Sequence, residues 1–169
     1  ILYDCLNKEE NIWCERCFAP WPDMGQLLRE KNIPLYALES GDSLDKFDAL
    51  AFSIGYEMAY TTVLDMLDMA GIPLRSAQRP GLEGIVFAGG VCAFNPEPLA
   101  EFIDFFSLGE GEEITVEIVS LYDRAKAEDW SKEQYLQEVA KIPGIYVPSF
   151  YRHEYNEDGT LASIIPLNG

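Results

Sequence analysis

The chain has 169 residues, 48% hydrophobic and 24% charged, enough for one folded domain with its own core. Its 12 basic and 29 acidic residues give a net charge of −17, which repels phosphate backbones and anionic bilayers and so argues against direct nucleic-acid binding and membrane docking. No apolar run approaches the roughly 20 residues of a membrane span, the opening ILYDCLNKEE is not a secretion signal, and four scattered cysteines cannot form a disulfide scaffold, so a cytoplasmic setting is expected.

In chain order, Ile1 to Lys8 reads as the end of a helix. Because the first residue is not methionine, the expectation is a fragment of a longer protein with a strand upstream. Ile12 to Phe18 (IWCERCF) predicts a strand, and Ala19-Pro20-Trp21-Pro22 a rigid loop. Asp23 to Lys31 predicts a helix capped by Asn32, followed by a short extended piece, Ile33 to Ala37, and a polar loop. Ala49 to Ile54 is a buried-type strand that turns at Gly55-Tyr56 into a helix, Glu57 to Ala70, with Gly71 as its stop.

The stretch from Ile85 to Glu113 organises the rest. Two apolar strand candidates, Ile85 to Ala88 and Phe105 to Leu108, each run into glycine: Gly89-Gly90 and Gly109-Glu110-Gly111. A helix opened by Asn95 and Pro96 is expected between them, and a long helix after Gly111. Ser131 with Gln134 forms a capping box for a further helix. Gly144 to Val147 predicts a short strand, and Phe150 to Leu167 a hairpin turned at Asp158-Gly159. With four successive strand-to-helix turns along one sheet edge, the chain predicts a doubly wound, mostly parallel α/β domain over residues 1–148. Residues 149–169 form a β appendage or linker.

In such sheets ligands sit at the carboxyl ends of the strands. Gly89 and Gly90 let backbone approach a ligand, or simply make a tight turn. Glu110, between Gly109 and Gly111, can accept hydrogen bonds from a ligand but repels phosphate. Ser53, Gly55 and Tyr56 form the equivalent turn on the preceding strand, or only cap its helix. Neither GxGxxG nor GxxxxGK[ST] occurs. The Cys14/Cys17 CxxC has no second pair and falls in a strand pattern, which argues for a structural role. His153, the sole histidine, sits in the hairpin. With no nucleophile–base pair, triad or metal cluster in the sequence, the chain reads as a binder and not a catalyst. A receiver domain lacks its strand-end aspartate, and flavin binding has no signal beyond Trp21 and Tyr56.

AGG (Ala88–Gly90), NPEP (Asn95–Pro98), Asp104 and GEGEE (Gly109–Glu113) resemble the cobalamin-binding-like domain that precedes the barrel of many radical SAM enzymes. Further stretches, ILYDCLN, WCERCFAPWPDM, REKNIPLYALES, NPEPLAEFID and GIYVPSFY, resemble one subgroup of large radical SAM proteins in the same order, so the likeness spans nearly the whole chain. It implies a Rossmann-like, B12-binding-type fold. It also implies a ligand edge of Ser53, Gly89, Gly90, Gly109, Glu110 and Gly111, facing a corrinoid or another small molecule. The DxHxxG cobalt-binding motif and the CxxxCxxC cluster motif are not in this chain. The resemblance therefore places the 4Fe-4S cluster and S-adenosylmethionine in a downstream radical SAM barrel of the same polypeptide, the expected partner of this domain. The alternative is a cofactor-free module that positions substrate or docks on that barrel.

Overall fold

Residues 1–167 are described by the structure, a computed structural model. The sheet contains β1 (Ala49–Ser53), β2 (Ile85–Gly89), β3 (Phe105–Ser107) and β4 (Ile145–Tyr146) in that spatial order. The first three are parallel and β4 runs antiparallel at the edge. The helices are α1 (Leu2–Leu6), α2 (Pro22–Lys31), α3 (Ala59–Met69), α4 (Gly111–Ala127) and α5 (Lys132–Val139). A separate hairpin pairs β5 (Tyr151–Tyr155) with β6 (Leu161–Pro166).

Strand alternation sorts the side chains into two cores. Leu50, Ile54, Val86, Ala88 and Phe106 face one side, where Leu28 of α2 and Val63 and Leu67 of α3 cover them. Ile85, Phe87 and Phe105 face the other, under Ile118 and Tyr122 of α4 and Tyr135 and Leu136 of α5. Phe87 and Phe105 stack there at 4.9 Å between ring centroids. β2 is sheltered on both faces, as a central parallel strand must be.

The boundaries follow the local chemistry. Pro22 opens α2, and Asn32 closes it in the left-handed region at φ 52. At α5 the Ser131 hydroxyl accepts from Gln134 N at 3.2 Å, while Ser131 N donates to Gln134 Oε1 at 2.8 Å. The hairpin turns at Asp158-Gly159, with Gly159 N donating to Asn156 O at 3.0 Å.

Three expectations change. The link between β2 and β3 is not an α-helix but two 3₁₀ turns, Val91–Phe94 and Glu97–Leu99. Pro96 and Pro98, two residues apart, each lack an N–H and push the preceding residue away from helical torsions. The sheet edge consequently carries two strand-to-α-helix turns, β1–α3 and β3–α4, instead of four. Ile12–Phe18 is not a strand: no described strand lies beside it to pair with. Ile33–Ala37, expected as a short extended piece, pairs through an isolated bridge, Tyr36 with Ser43, in agreement with that reading.

Candidate functional site at the carboxyl edge of the sheet

Ser53 is paired in register with Gly89. A Cβ on Gly89 would stand 3.4 Å from Ser107 O and 3.9 Å from Ser107 Cβ, so the next residue across is Ser107. Ser53, Gly89 and Ser107 thus form a row of small residues on the α4 face, one at the end of each parallel strand. Ser107 is 6% exposed, and its hydroxyl has no hydrogen-bond partner among the described residues. A buried hydroxyl left unpaired costs about 1–3 kcal/mol, so this position is held against its own chemistry. Sequence reasoning passed over Ser107. The available signal was a lone hydroxyl closing the apolar run after Asp104.

The predicted glycines divide by role. Gly90 has φ +95, and a Cβ there would meet Ile54 O at 2.8 Å. Around it Ile54 N donates to Gly89 O at 2.8 Å, and Cys92 N donates to Ile54 O at 3.0 Å. Gly90 therefore knits the ends of β1 and β2 together. Gly109 has φ +130 with nothing within 4 Å of a Cβ, and Gly55 is equally open. Their backbone is bare toward solvent. Gly111, in the first turn of α4, is covered by the Leu2 side chain, 3.1 Å from where a Cβ would be. Glu110 is the exposed N-cap residue of α4 and makes no side-chain cap bond. Glu112 and Glu113 follow in the first turn, where carboxylates complement the helix dipole.

Large apolar side chains stand free around this backbone. Tyr56 is 61% exposed, Met58 83%, Val91 71% and Phe94 69%. The loop bearing Val91 and Phe94 is pinned from below by Tyr60, whose hydroxyl donates to Cys92 O at 3.0 Å and Asn95 O at 2.9 Å.

Other sequence candidates lie elsewhere. Cys14 and Cys17 flank a cavity of about 680 Å³ beside β1; Ser53 also lines it, while the predicted glycines and Glu110 do not. Burial, then Glu39 and Glu15, pushes the Cys14 thiol up. Burial alone pushes Cys17 up to about 11. The Cys92 thiol is raised by burial and by Glu57. Thiols held protonated are poor nucleophiles. Among the described residues no group of three or more His, Cys, Asp and Glu is placed to hold a metal ion, so these cysteines do not fit an iron–sulfur cluster. His153 Nε2 lies 3.5 Å from Glu97 Oε1, which also accepts a 2.6 Å bond from the Tyr146 hydroxyl. The hairpin histidine thus meets a carboxylate that spacing along the chain did not reveal.

No described helix is long and apolar enough to cross a membrane. No solved structure matches the chain. An uncharacterized protein of Methanocaldococcus jannaschii is 28% identical over 95 residues, which covers 54% of this chain and 20% of the relative. The chain thus matches about one fifth of that relative's length. The family model described as "Radical SAM proteins, N-terminal" matches residues 1–148, nearly the whole α/β unit. The chain therefore belongs to the family of N-terminal domains of radical SAM proteins.

Proposed function

We propose that this domain is an accessory unit of a radical SAM protein, and that the carboxyl edge of its sheet holds one face of a ligand against the catalytic domain of the same polypeptide. The unpartnered, buried Ser107 hydroxyl carries this reading. It sits beside Gly89 and in line with Ser53, at an edge whose strand-end loops also carry the bare Gly109 backbone and exposed apolar side chains. Such a surface suits a flat molecule with an apolar face and a few hydrogen-bonding groups at its rim, and a corrinoid has that character. Ser53 and Ser107 would donate to or accept from its polar groups, Glu110 would accept from amides, and Tyr56 and Phe94 would pack on its face. The corrinoid supplies methyl-transfer or radical chemistry when bound; the residues of this chain bind, orient and exclude water. The Rossmann-like, B12-binding-type assignment of the fold belongs to the same proposal, as does a linker role for residues 149–169.

One observation favours a second reading, in which the edge docks directly on the catalytic domain without a cofactor. The sole histidine is engaged with Glu97 and does not stand at the glycine turns.

The test is a titration of the full-length radical SAM protein with hydroxocobalamin, followed by its visible spectrum and by heat. Saturable binding at roughly micromolar concentration, weakened at least tenfold by Phe94→Glu and Ser107→Val, supports the corrinoid reading. No binding, together with solvent protection of Met58, Val91 and Phe94 in the full-length protein, supports direct docking and overturns the first.

A further inference from the structure

The cavity beside β1 is bounded by two stretches of unused backbone. Along β1, Ile54 N donates to Gly89 O and Asp48 O accepts from Gly84 N, so residues 48, 50, 52 and 54 direct their peptide groups to β2. Ala49, Ala51 and Ser53 therefore direct theirs outward. Among the described residues no strand pairs with β1 on that side. On the opposite wall, Cys14 N donates to Asn7 Oδ1 and Cys14 O accepts from Asn7 Nδ2. Arg16 N donates to Glu39, and Arg16 O accepts from Leu38 N. Cys14 and Arg16, two apart, thus each use both peptide groups, as alternate residues of an extended chain do. The intervening Trp13, Glu15 and Cys17 make no backbone-to-backbone hydrogen bond among the described residues, and all three line the cavity. Its lining is mixed: Ala49, Ala51, Leu6 and Val119 are small or apolar, whereas Asp42, Lys46, Asp48, Asp123 and Lys126 are charged.

Two rows of peptide groups without backbone partners, one on each side of a cavity, are what a sheet shows where one strand is lacking. We infer that this cavity is the seat of a β-strand, parallel to β1, contributed by the stretch of the same polypeptide that leads into Leu2. The direction follows from α1. Leu2 packs on Gly111 in the first turn of α4, at the carboxyl edge of the sheet. A strand running parallel to β1 ends at that edge and feeds α1 directly. The added strand pairs β1 on its free side and makes Ile12–Phe18 a strand, as its sequence pattern predicts. It also places the reversal of strand order next to Ser53, where a doubly wound sheet opens its crevice. The inference stands whether or not a corrinoid binds.

Amide hydrogen exchange on the full-length protein tests it. The Ala51, Ser53, Glu15 and Cys17 amides are expected to exchange about a hundredfold or more slowly than exposed edge amides. Ala51→Pro removes an outward N–H and leaves the β2 ladder intact. It is expected to abolish protection at Glu15 and Cys17, with continued protection at Val86 reporting that the fold survives. Fast exchange at Ala51 and Ser53 in the full-length wild-type protein overturns the proposal. So does protection that disappears on dilution to monomer, which would make a second copy the occupant.

Discussion

Asp104, immediately before β3, and Ser107, at its end, lie three residues apart, and their surroundings differ in kind. The Asp104 carboxylate is fully enclosed, yet it accepts from Val86 N at 2.7 Å, Lys132 Nζ at 2.7 Å, Arg79 Nη2 at 3.4 Å and the Ser76 hydroxyl. Arg79 in turn donates to Pro73 O, Leu74 O and Phe102 O, and Lys132 to Arg79 O. Only Arg79 Nε is left over in that cluster. Buried charge is tolerated there because nearly every polar atom is used. At the carboxyl end of β3 a single neutral hydroxyl has no partner among the described residues, and the loops around it expose aromatic and aliphatic side chains. The amino end of the sheet is finished internally, whereas the carboxyl end has hydrogen-bonding and apolar capacity to spare. Ligand edges of parallel sheets have that asymmetry because strand-end loops, unlike strand interiors, are free of ladder constraints.

Substitutions can break or sharpen that contrast. The largest effect belongs to the finished end. Asp104→Ala strands Arg79 and Lys132 as buried, uncompensated cations, and chemical denaturation should show a loss of about 3–5 kcal/mol. Next is Gly90→Ala, which combines φ +95 with a Cβ at 2.8 Å from Ile54 O. Denaturation is expected to report about 3 kcal/mol lost there, against about 1 kcal/mol for Gly109→Ala, where only torsional strain applies. Equal costs would erase the distinction between the knitting glycine and the bare one.

Alkali should act on the buried parts and spare the open edge. Burial raises Cys17 from 9.0 to about 11, and burial first of all raises Tyr122, Tyr135 and Tyr146. The fold favours the protonated forms, so their contribution is complete below the unfolded values. It declines as pH rises from about 9 toward the raised folded values. Equilibrium unfolding across pH 8 to 11 should show the decline, and Cys17→Ala should remove its earliest part.

Smaller still is Ser107→Ala. Deleting an unpaired buried hydroxyl should leave stability unchanged or raise it by up to about 1 kcal/mol, while ligand binding at the edge falls. A loss above that size would mean the hydroxyl already has a partner, and the contrast between the two ends would fail. Smallest is Met58→Glu, within about 0.5 kcal/mol of wild type in stability. Its effect should appear only in association with the proposed ligand or the proposed catalytic-domain partner.

Much of this architecture was legible before any coordinates. Asn32, Gly71 and the Ser131–Gln134 box act within one turn of chain, so their signals are local and the helix ends fall where they point, whereas Pro22, expected in the rigid loop, opens α2. The apolar runs at Ala49, Ile85 and Phe105 carried enough burial to be read as parallel strands. Where a signal needed a neighbour, sequence alone failed. IWCERCF has a strand's pattern, but pairing depends on what lies beside it. NPEP opens a helix by its caps, but two close prolines reduce it to 3₁₀ turns.

The sequence by itself determined the layered α/β class, the glycine turns at the ends of β2 and β3, and the hairpin, because torsional preference and periodic burial are properties of short stretches. Only the tertiary structure decided that Gly90 is a knot and Gly109 a bare surface, that His153 meets Glu97, and that Ser107 stands buried beside Gly89 with its hydroxyl unused. Each of those facts depends on which strand end lies next to which. That adjacency is set by the packing of the whole sheet, not by any local run of residues.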